Sequence, residues 1–570
     1  MSESAKKSKL LPLLILSGTL LLQLGFLAYM NFFAYDKILN FDGANAMLHA
    51  AEMWKTKSVR VPGWVDTTQL ELDMAAALVL PLYGLTGNLF FSYGLANVAF
   101  AALYVWVISD IFRQRGYAPF YALIGLNLVF TPYCIGMIDY YSMLFYQAAF
   151  YDMRVMIVLL LLDLMVAREE ERKSAAHRFF LFLLCLFAFL SGLSCGIYIL
   201  LSGILPIAAL FAFEAVASGD FFRKKTPRRE GENEAEEGIN GEDKRALYRA
   251  GVLSLSFVFC AAGYLLCRAL GFNGLGDRMQ LVSYQNMTGN FHAVLLSFFM
   301  VLDALPQEAG VIVTSPTGVL YLCKALVALL LLFVFFLHIR TLFSRQTKPA
   351  GEDNGGKEGI PHTNGFPFGK YVAFLLLWNV LEFVFCETRY SYANPIIENR
   401  YYLLPLLPLF LLLAMQVREW ESFGTKAFGV CVDMFAAVFL FVLAFGCMRA
   451  VVKKFDADGG YIKDVVAYVG EALPDVDTVV LLHEPDTQGI YRLLDSERKY
   501  TAYDTEEQSL VVYDYYRSYT EDLGEKNAIL LYEWETPEEL LPEEIASAYD
   551  KAGEVRWFHI YVADEDRFHE

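Results

Sequence analysis

LLPLLILSGTLLLQLGFLAYMNFF, residues 10–33, decides the class of fold. The run carries no charged residue, and its length meets the roughly 20 residues that a helix needs to cross the hydrocarbon of a bilayer. In lipid only a helix or a closed barrel satisfies its own backbone, and this run does not alternate with a period of two, so it reads as a helix. Lys6, Lys7 and Lys9 precede it, and no small-x-small cleavage pattern follows. It is therefore read as an uncleaved first span whose N-terminal end is held in the cytoplasm by positive charge.

Working outward, the whole chain follows the same plan. Of 570 residues, 56% are hydrophobic and only 19% charged, and the mean hydropathy is +0.38, outside the range of a soluble globular chain of this size. Leu320–Leu337 and Ala427–Cys447 are further long apolar runs. Basic connectors belong on the cytoplasmic side; here these are Arg113–Arg115, Arg168–Arg178, Arg223–Arg249, Arg340–Lys370 and Arg418–Lys426. The outer loops are then about 34–90, 132–153, 192–197, 270–315 and 387–401. About eleven spans result, near 10–33, 91–112, 117–133, 154–167, 178–194, 197–216, 250–269, 318–339, 371–386, 402–417 and 427–448. Ala75–Leu85 and Ala293–Leu305 are apolar but short, and Pro81 or Pro306 interrupts or follows them. They read as interfacial or re-entrant helices on the outer face.

An odd number of spans places the tail outside the cytoplasm, which divides the chain into a transmembrane module, 1–450, and a soluble extracytoplasmic α/β domain, 451–570. Strand patterns at Thr478–Leu482, Ser509–Tyr513, Ala528–Tyr532 and Trp557–Val562 alternate with helical patterns, among them Tyr461–Leu473 and Pro537–Lys551. The fold class is thus an α-helical polytopic membrane protein with a C-terminal α/β domain. A net charge of −18 excludes nucleic acid as a partner, since its phosphates demand a basic surface. Nine cysteines without a CxxC indicate neither a disulfide framework nor a zinc site. There is no Walker-type loop, no GxGxxG and no internal repeat, so nothing points to an ATP-driven pump. The Gly- and Glu-rich stretches within 223–249 and 347–367 have the composition of disordered loops.

Function in such a chain concentrates where polar residues gather at the membrane surface. The first outer loop stands out: Asn40-Phe41-Asp42-Gly43-Ala44-Asn45-Ala46, then Glu52-Met53-Trp54, Pro62-Gly63-Trp64 and Glu71-Leu72-Asp73. Asp42 lies a few residues past the first span, at the height of a lipid head group. A carboxylate there can act as general base toward an acceptor hydroxyl or amine, or can simply cap the helix that follows. A phosphate would call for arginine, whose planar fork donates to two oxygens at once. Arg400, Arg389, Arg154 and Arg60 lie on outer loops or at their edges; Arg400 beside Tyr401 and Tyr402 also fits an interfacial anchor. Lys324 falls inside a span, where it must snorkel or pair, with Glu382 as the candidate partner, or stand beside a donor phosphate as a further binding candidate. Asp163, Glu214 and Asp433 fall near inner ends and read as solvated termini. His49 and His292 have no second ligand at metal-binding spacing. Tyr140, Tyr141, Tyr146 and Tyr151 form a run of aromatic faces suited to sugar rings.

Taken in order, these features resemble a known family. A basic N-terminus, one span, Phe41-Asp42, a large outer loop with Glu52-Met53-Trp54 and Pro62-Gly63-Trp64, then Tyr151-Asp152-Met153-Arg154, Ser191-Gly192-Leu193 with Ile204-Leu205-Pro206, and Arg400-Tyr401-Tyr402-Leu403-Leu404-Pro405 look like the GT-C superfamily of membrane glycosyltransferases, which includes protein O-mannosyltransferases and aminoarabinose transferases. The motifs run through roughly residues 5–417. The resemblance implies a polyprenyl-phosphate-linked sugar donor, an inverting transfer to a cell-envelope acceptor on the extracytoplasmic face, and a catalytic acid in the first outer loop, here Asp42. Several relatives carry Asp-Glu where this chain has Asp42-Gly43. That departure leaves a second acid to be found among Glu71, Asp73, Asp139 and Asp152, and leaves use of a divalent metal open, with no ligand set assigned. A transporter or flippase for a lipid-linked or small hydrophilic substrate, or a non-catalytic assembly protein, is the competing reading.

Overall fold

The computed structural model describes residues 3–64, 72, 75–136, 139–217, 241–271, 281–306, 309–343, 366–386, 397–422, 425–458, 460–484, 487–511 and 526–568. The chain begins with α1 (Glu3–Phe33), which carries the opening apolar run, followed by α2 (Phe41–Thr56), α3 (Ala75–Thr86), α4 (Leu89–Gln114), α5 (Pro119–Phe130), α6 (Tyr140–Phe145) and α7 (Asp152–Val166). Next come α8 (Ala175–Cys195), a π-helical turn Leu200–Ile204 that leads into α9 (Leu205–Ala217), and α10 (Gly241–Ala269), α11 (Tyr284–Met300) and α12 (Pro316–Phe343). The bundle closes with α13 (Phe368–Phe385), α14 (Asn399–Ser422) and α15 (Lys426–Asp458).

Among the described residues nine helices are long and apolar enough to cross a membrane. They match nine of the eleven expected spans, and α5 and α7 occupy the other two. Both are shorter, 12 and 15 residues. Every residue of α7 is buried, because a helix that is apolar all round belongs in the centre of a bundle rather than at its rim. The two short apolar stretches left out of the span count form α3 and, from Ala293 on, the C-terminal part of α11. Elsewhere small residues bring helices together, as is usual in lipid, where apolar side chains gain little from leaving the hydrocarbon. A Cβ on Gly192 would lie 2.1 Å from the Cys260 carbonyl oxygen, and one on Gly263 would lie 2.0 Å from that of Phe189. The glycines at these crossings are what let α8 and α10 touch backbone to backbone.

The tail comprises α16 (Tyr461–Ala472), β1 (Thr478–Leu481), α17 (Gln488–Leu494), β2 (Lys499–Asp504), β3 (Ser509–Val511), β4 (Asn527–Tyr532), α18 (Pro537–Leu540), α19 (Glu543–Ala546), β5 (Asp550–Val555) and β6 (Phe558–Ala563). The sheet order is β3-β2-β1-β4-β6-β5. β1 runs parallel to both β2 and β4, and the outer pairings are antiparallel. Alternation puts Val479 and Leu481 in one apolar layer with α16, and Val480 and Leu482 in the other with Leu541, Ala546 and Tyr549. A strand buried on both faces reads as a continuous apolar run, as Thr478–Leu482 does.

Several expectations are corrected here. Pro537–Lys551 is not one helix: α18 stops at Leu540 and a new turn starts at Glu543. Leu541 is extended, φ −117° and ψ 152°, as the residue before Pro542 is driven to be, and the segment ends in the edge strand β5. β2 was not anticipated, because its polar residues break the apolar pattern, although Tyr500 and Ala502 face one layer and Tyr503 the other. Asp163 and Asp433 are buried, not solvated: Asp433 is bridged by Lys9 at 3.2 Å, and Glu214 by Lys370 at 2.8 Å. Tyr140, Tyr141 and Tyr146 are not open platforms but core residues. The Tyr140 hydroxyl donates to the Val129 carbonyl at 2.6 Å, and the Tyr146 hydroxyl to that of Ala34 at 2.7 Å.

Candidate active site

The segment after α1 turns at once into α2. Asn40, extended at φ −116° and ψ 157°, caps that helix by accepting from the Gly43 amide at 2.7 Å. The cap is thus Asn40, and Asp42 stands in the first turn. There the unpaired amides and the helix dipole favour a negative charge.

A chain of buried amides holds this turn in place. Asn40 Nδ2 donates to Gln147 Oε1 at 3.2 Å, and Gln147 Nε2 donates to the carbonyls of Tyr35 at 3.2 Å and Ile38 at 2.7 Å. Asn97 of α4 donates to the Gln147 carbonyl at 2.9 Å and to Asn31 Oδ1 at 2.8 Å, and Asn31 donates to the Phe145 carbonyl at 2.8 Å. Gln147 and Ala149 have positive φ, 53° and 43°, a backbone form that non-glycine residues hold only when their surroundings over-determine it. The network supplies that constraint and fixes the 146–151 turn against α1, α2 and α4. It also accounts for Gly43. A Cβ there would lie 3.1 Å from Asn40 Oδ1 and 3.3 Å from Gln147 Oε1, so a glutamate at this position would crowd the cap.

Two arginines stand at the starts of α7 and α14. Arg154, 1% exposed in the first turn of α7, lies with its guanidinium 4.8 Å from the centre of the Tyr151 ring. Arg400, in the first turn of α14, pairs with Glu398 and lies 5.3 Å from the centre of the Tyr401 ring. Tyr198 joins the two sides, its ring 6.1 Å from that of Tyr151 and 6.1 Å from that of Tyr401. Arg400 is within electrostatic reach of Asp42, Tyr151 and Tyr401, and Tyr151 of both arginines. Two arginines at the starts of α7 and α14, one of them paired with Glu398 and within electrostatic reach of Asp42, therefore flank a tyrosine-lined spot. That combination suits an anion with a reacting group at its edge. Asp152 is fully buried just below, its side chain taking the amide of Met153 and its carbonyl taking the Tyr104 hydroxyl at 2.8 Å.

Other candidates fall elsewhere. Lys324 is buried, but its partner is Asp303 at 2.6 Å together with the Tyr133 carbonyl at 2.7 Å, not Glu382. Glu382 accepts instead from the Trp378 indole at 2.8 Å. Lys324, Asp303, Asp139 and Lys454 line a separate cavity of about 170 Å³. Burial holds the Asp139 carboxyl above the usual range, against the opposing effect of its Asn399 bond. Arg60 is exposed beyond α2, beside Ser58, whose hydroxyl bonds the Arg60 carbonyl. Glu71, Asp73 and Arg389 lie outside the described residues, as do 223–240 and 347–365. His49 is buried, stacked on Trp64 at 4.6 Å and 8°, and burial pushes its imidazole down to about 4. Among the described residues no group of three or more His, Cys, Asp and Glu side chains could hold a metal ion.

Sequence reasoning missed the amide network, Tyr198 and Glu398. Asn31 and Asn97 carried a usable signal, since an amide within an apolar span is costly unless bonded. Gln147 carried none, because its importance lies in a backbone form that only packing imposes.

No family model matches the sequence, and no curated protein matches it. Among solved structures the chain is similar to ArnT from Cupriavidus metallidurans in the apo state, with 11% identity and a TM-score of 0.51 over 96% of this chain and 98% of that one. It also matches, more loosely, the archaeal oligosaccharyltransferase AglB from Archaeoglobus fulgidus in complex with an inhibitory peptide and a dolichol-phosphate. That match has 11% identity and a TM-score of 0.44, and covers 91% of this chain and 69% of that one. The ArnT match spans nearly the full length of both chains and shows a shared fold: a multi-pass helical membrane bundle followed by a C-terminal domain.

Proposed function

Proceeding from that shared fold, we propose that the protein is a membrane glycosyltransferase that moves a sugar from a polyprenyl-phosphate carrier to a cell-envelope acceptor on the extracytoplasmic face. The observation that carries this reading is Asp42, in the first turn of α2, within electrostatic reach of Arg400, in the first turn of α14. In this arrangement Asp42 takes the proton of an acceptor hydroxyl as its oxygen attacks the anomeric carbon. The bond from that carbon to the phosphate oxygen breaks on the opposite side, which inverts the centre. The leaving polyprenyl phosphate gains the charge, and Arg400, Arg154 and the helix N-termini stabilise it where it develops. Tyr151, Tyr198 and Tyr401 wall the spot, and Asp152 anchors the turn that carries Arg154. Lys6, Lys7 and Lys9, in the first turns of α1, hold that end in the cytoplasm, so the catalytic module, 1–450, presents this site to the outer leaflet and the domain 451–570 lies outside.

The test is transfer from labelled polyprenyl-phosphate sugars to envelope fractions by the purified protein. Asp42→Asn removes a proton acceptor and almost no volume, so turnover falls by at least about 10²-fold while donor binding persists. Turnover equal to wild type would remove Asp42 as the base.

A further inference from the structure

The tail domain carries a second constellation at a place where α/β sheets bind ligands. From β1 the chain passes through α17 to β2 on one side, then to β3, and returns to β4 on the other side of β1. Strand order therefore reverses between the parallel neighbours β1 and β4. The crevice beyond the carboxyl ends of strands at such a reversal is the usual ligand site of an open sheet.

His483 and Glu484 follow β1 there, and Trp534 and Glu535 follow β4. His483 meets Glu535 at 2.6 Å, and Glu484 accepts the hydroxyls of Tyr461 at 2.5 Å and Tyr532 at 3.2 Å. The rings stack on Tyr532: His483 at 4.5 Å and 24°, Trp534 at 4.8 Å and 18°, and Phe558 at 5.3 Å and 23°. Trp534, the outermost, is 66% exposed.

Flat aromatic faces with carboxylates at their edge suit a ligand that has apolar ring faces and a rim of hydroxyl donors. Phosphate and other anions are repelled by the two glutamates. A cation finds both carboxylates already engaged with tyrosine hydroxyls or imidazole. We propose that this crest binds a neutral glycan, the acceptor, and presents it to the membrane site. Tyr491 of α17 lies within electrostatic reach of both Glu484 and Tyr532. It also shares one apolar core with Ala44 of α2, so the crest and the helix of Asp42 are joined through α17. The acceptor role rests on the glycosyltransferase reading; the binding does not.

Binding is read on the full chain in lipid nanodiscs by saturation-transfer NMR with neutral oligosaccharides released from envelope glycans, with hexalysine as the cationic probe. The oligosaccharides bind wild type, Trp534→Ala weakens them at least tenfold, and Asp42→Asn leaves them unchanged. In transfer assays Trp534→Ala raises the KM for acceptor and spares kcat. Equal binding by wild type and Trp534→Ala, no binding by either, or binding of hexalysine alone overturns the proposal. Trp534-dependent binding by a protein that transfers no sugar keeps the glycan site and removes the enzyme reading instead.

Discussion

Gly489 of the tail domain rests on Asn45 of the membrane module: a Cβ at 489 would come within 2.5 Å of Asn45 Oδ1. Three residues away on α2 stands Asp42, so the helix that carries the proposed base is held from both sides. Ala46, Met47, Ala50 and Met53 pack into the bundle, while Ala44 packs with Ile490 and Tyr491 of the tail. Lys463 adds a bridge to Asp36 at 2.6 Å.

Gly489→Val pushes α17 off α2, because a branched side chain has no room at that distance. Overpacking of this kind costs about 1–3 kcal/mol. The midpoint of thermal unfolding in detergent falls and the tail becomes sensitive to protease at concentrations that wild type resists. Intact melting and protease resistance would show that the domain does not depend on this contact.

Asn40 both caps α2 and donates to Gln147. Asn40→Asp keeps the cap and loses the donated bond, whereas Asn40→Ala loses both. A cap is worth about 1 kcal/mol and an ordinary hydrogen bond about another 1 kcal/mol. Melting temperatures should rank wild type above Asp and Asp above Ala, with transfer rates in the same order. Equal rates in all three would separate the network from catalysis.

Arg400→Ala removes a charge-assisted donor to phosphate, a loss of about 1.5–3 kcal/mol, or roughly ten- to hundredfold in donor affinity. Glu398→Gln, which strips only its partner, changes donor affinity far less. Labelled donor binding measures both, and wild-type affinity in Arg400→Ala would remove the phosphate assignment.

His49 makes stability depend on pH in a defined direction. Folded, it titrates near about 4 because of burial; unfolded, it titrates near about 6.5. Above about 6.5 both states are neutral and nothing changes. Between the two values only the unfolded chain takes a proton, so stability falls as the pH falls, by up to about 1.4 kcal/mol per unit, and below about 4 the loss is complete. His49→Phe keeps the stack on Trp64 and removes the titration. Its melting curve across pH 7.5 to 4.5 runs flatter than that of wild type, and parallel curves would refute this.

Reading the chain in order recovers most of the helices, because each span is decided by a local run of apolar residues and each connector by its own basic charge. It recovers the site only in part. Asp42, Arg154 and Arg400 are visible as charges at span ends, but nothing local distinguishes them from Arg60, which is exposed, or from Lys324, which a neighbouring aspartate neutralises in another cavity. The tyrosines of the second outer loop mislead for the same reason: an aromatic on an outer loop looks alike whether it faces solvent or fills the core.

The amino-acid sequence by itself determined that this is a multi-pass membrane protein, where its long apolar helices lie, and that an α/β domain follows the last of them. The cost of burying charge and the need to satisfy a backbone in lipid act segment by segment, so they are written locally. Tertiary structure alone decided that Asp42 and Arg400, far apart in the chain, come within electrostatic reach of each other, that Tyr151 lies within reach of both Arg400 and Arg154, and that Gly43 packs against Asn40 and Gln147, and Gly489 against Asn45. Those outcomes depend on close packing and on amide bonds between distant segments, which no stretch of the chain specifies alone.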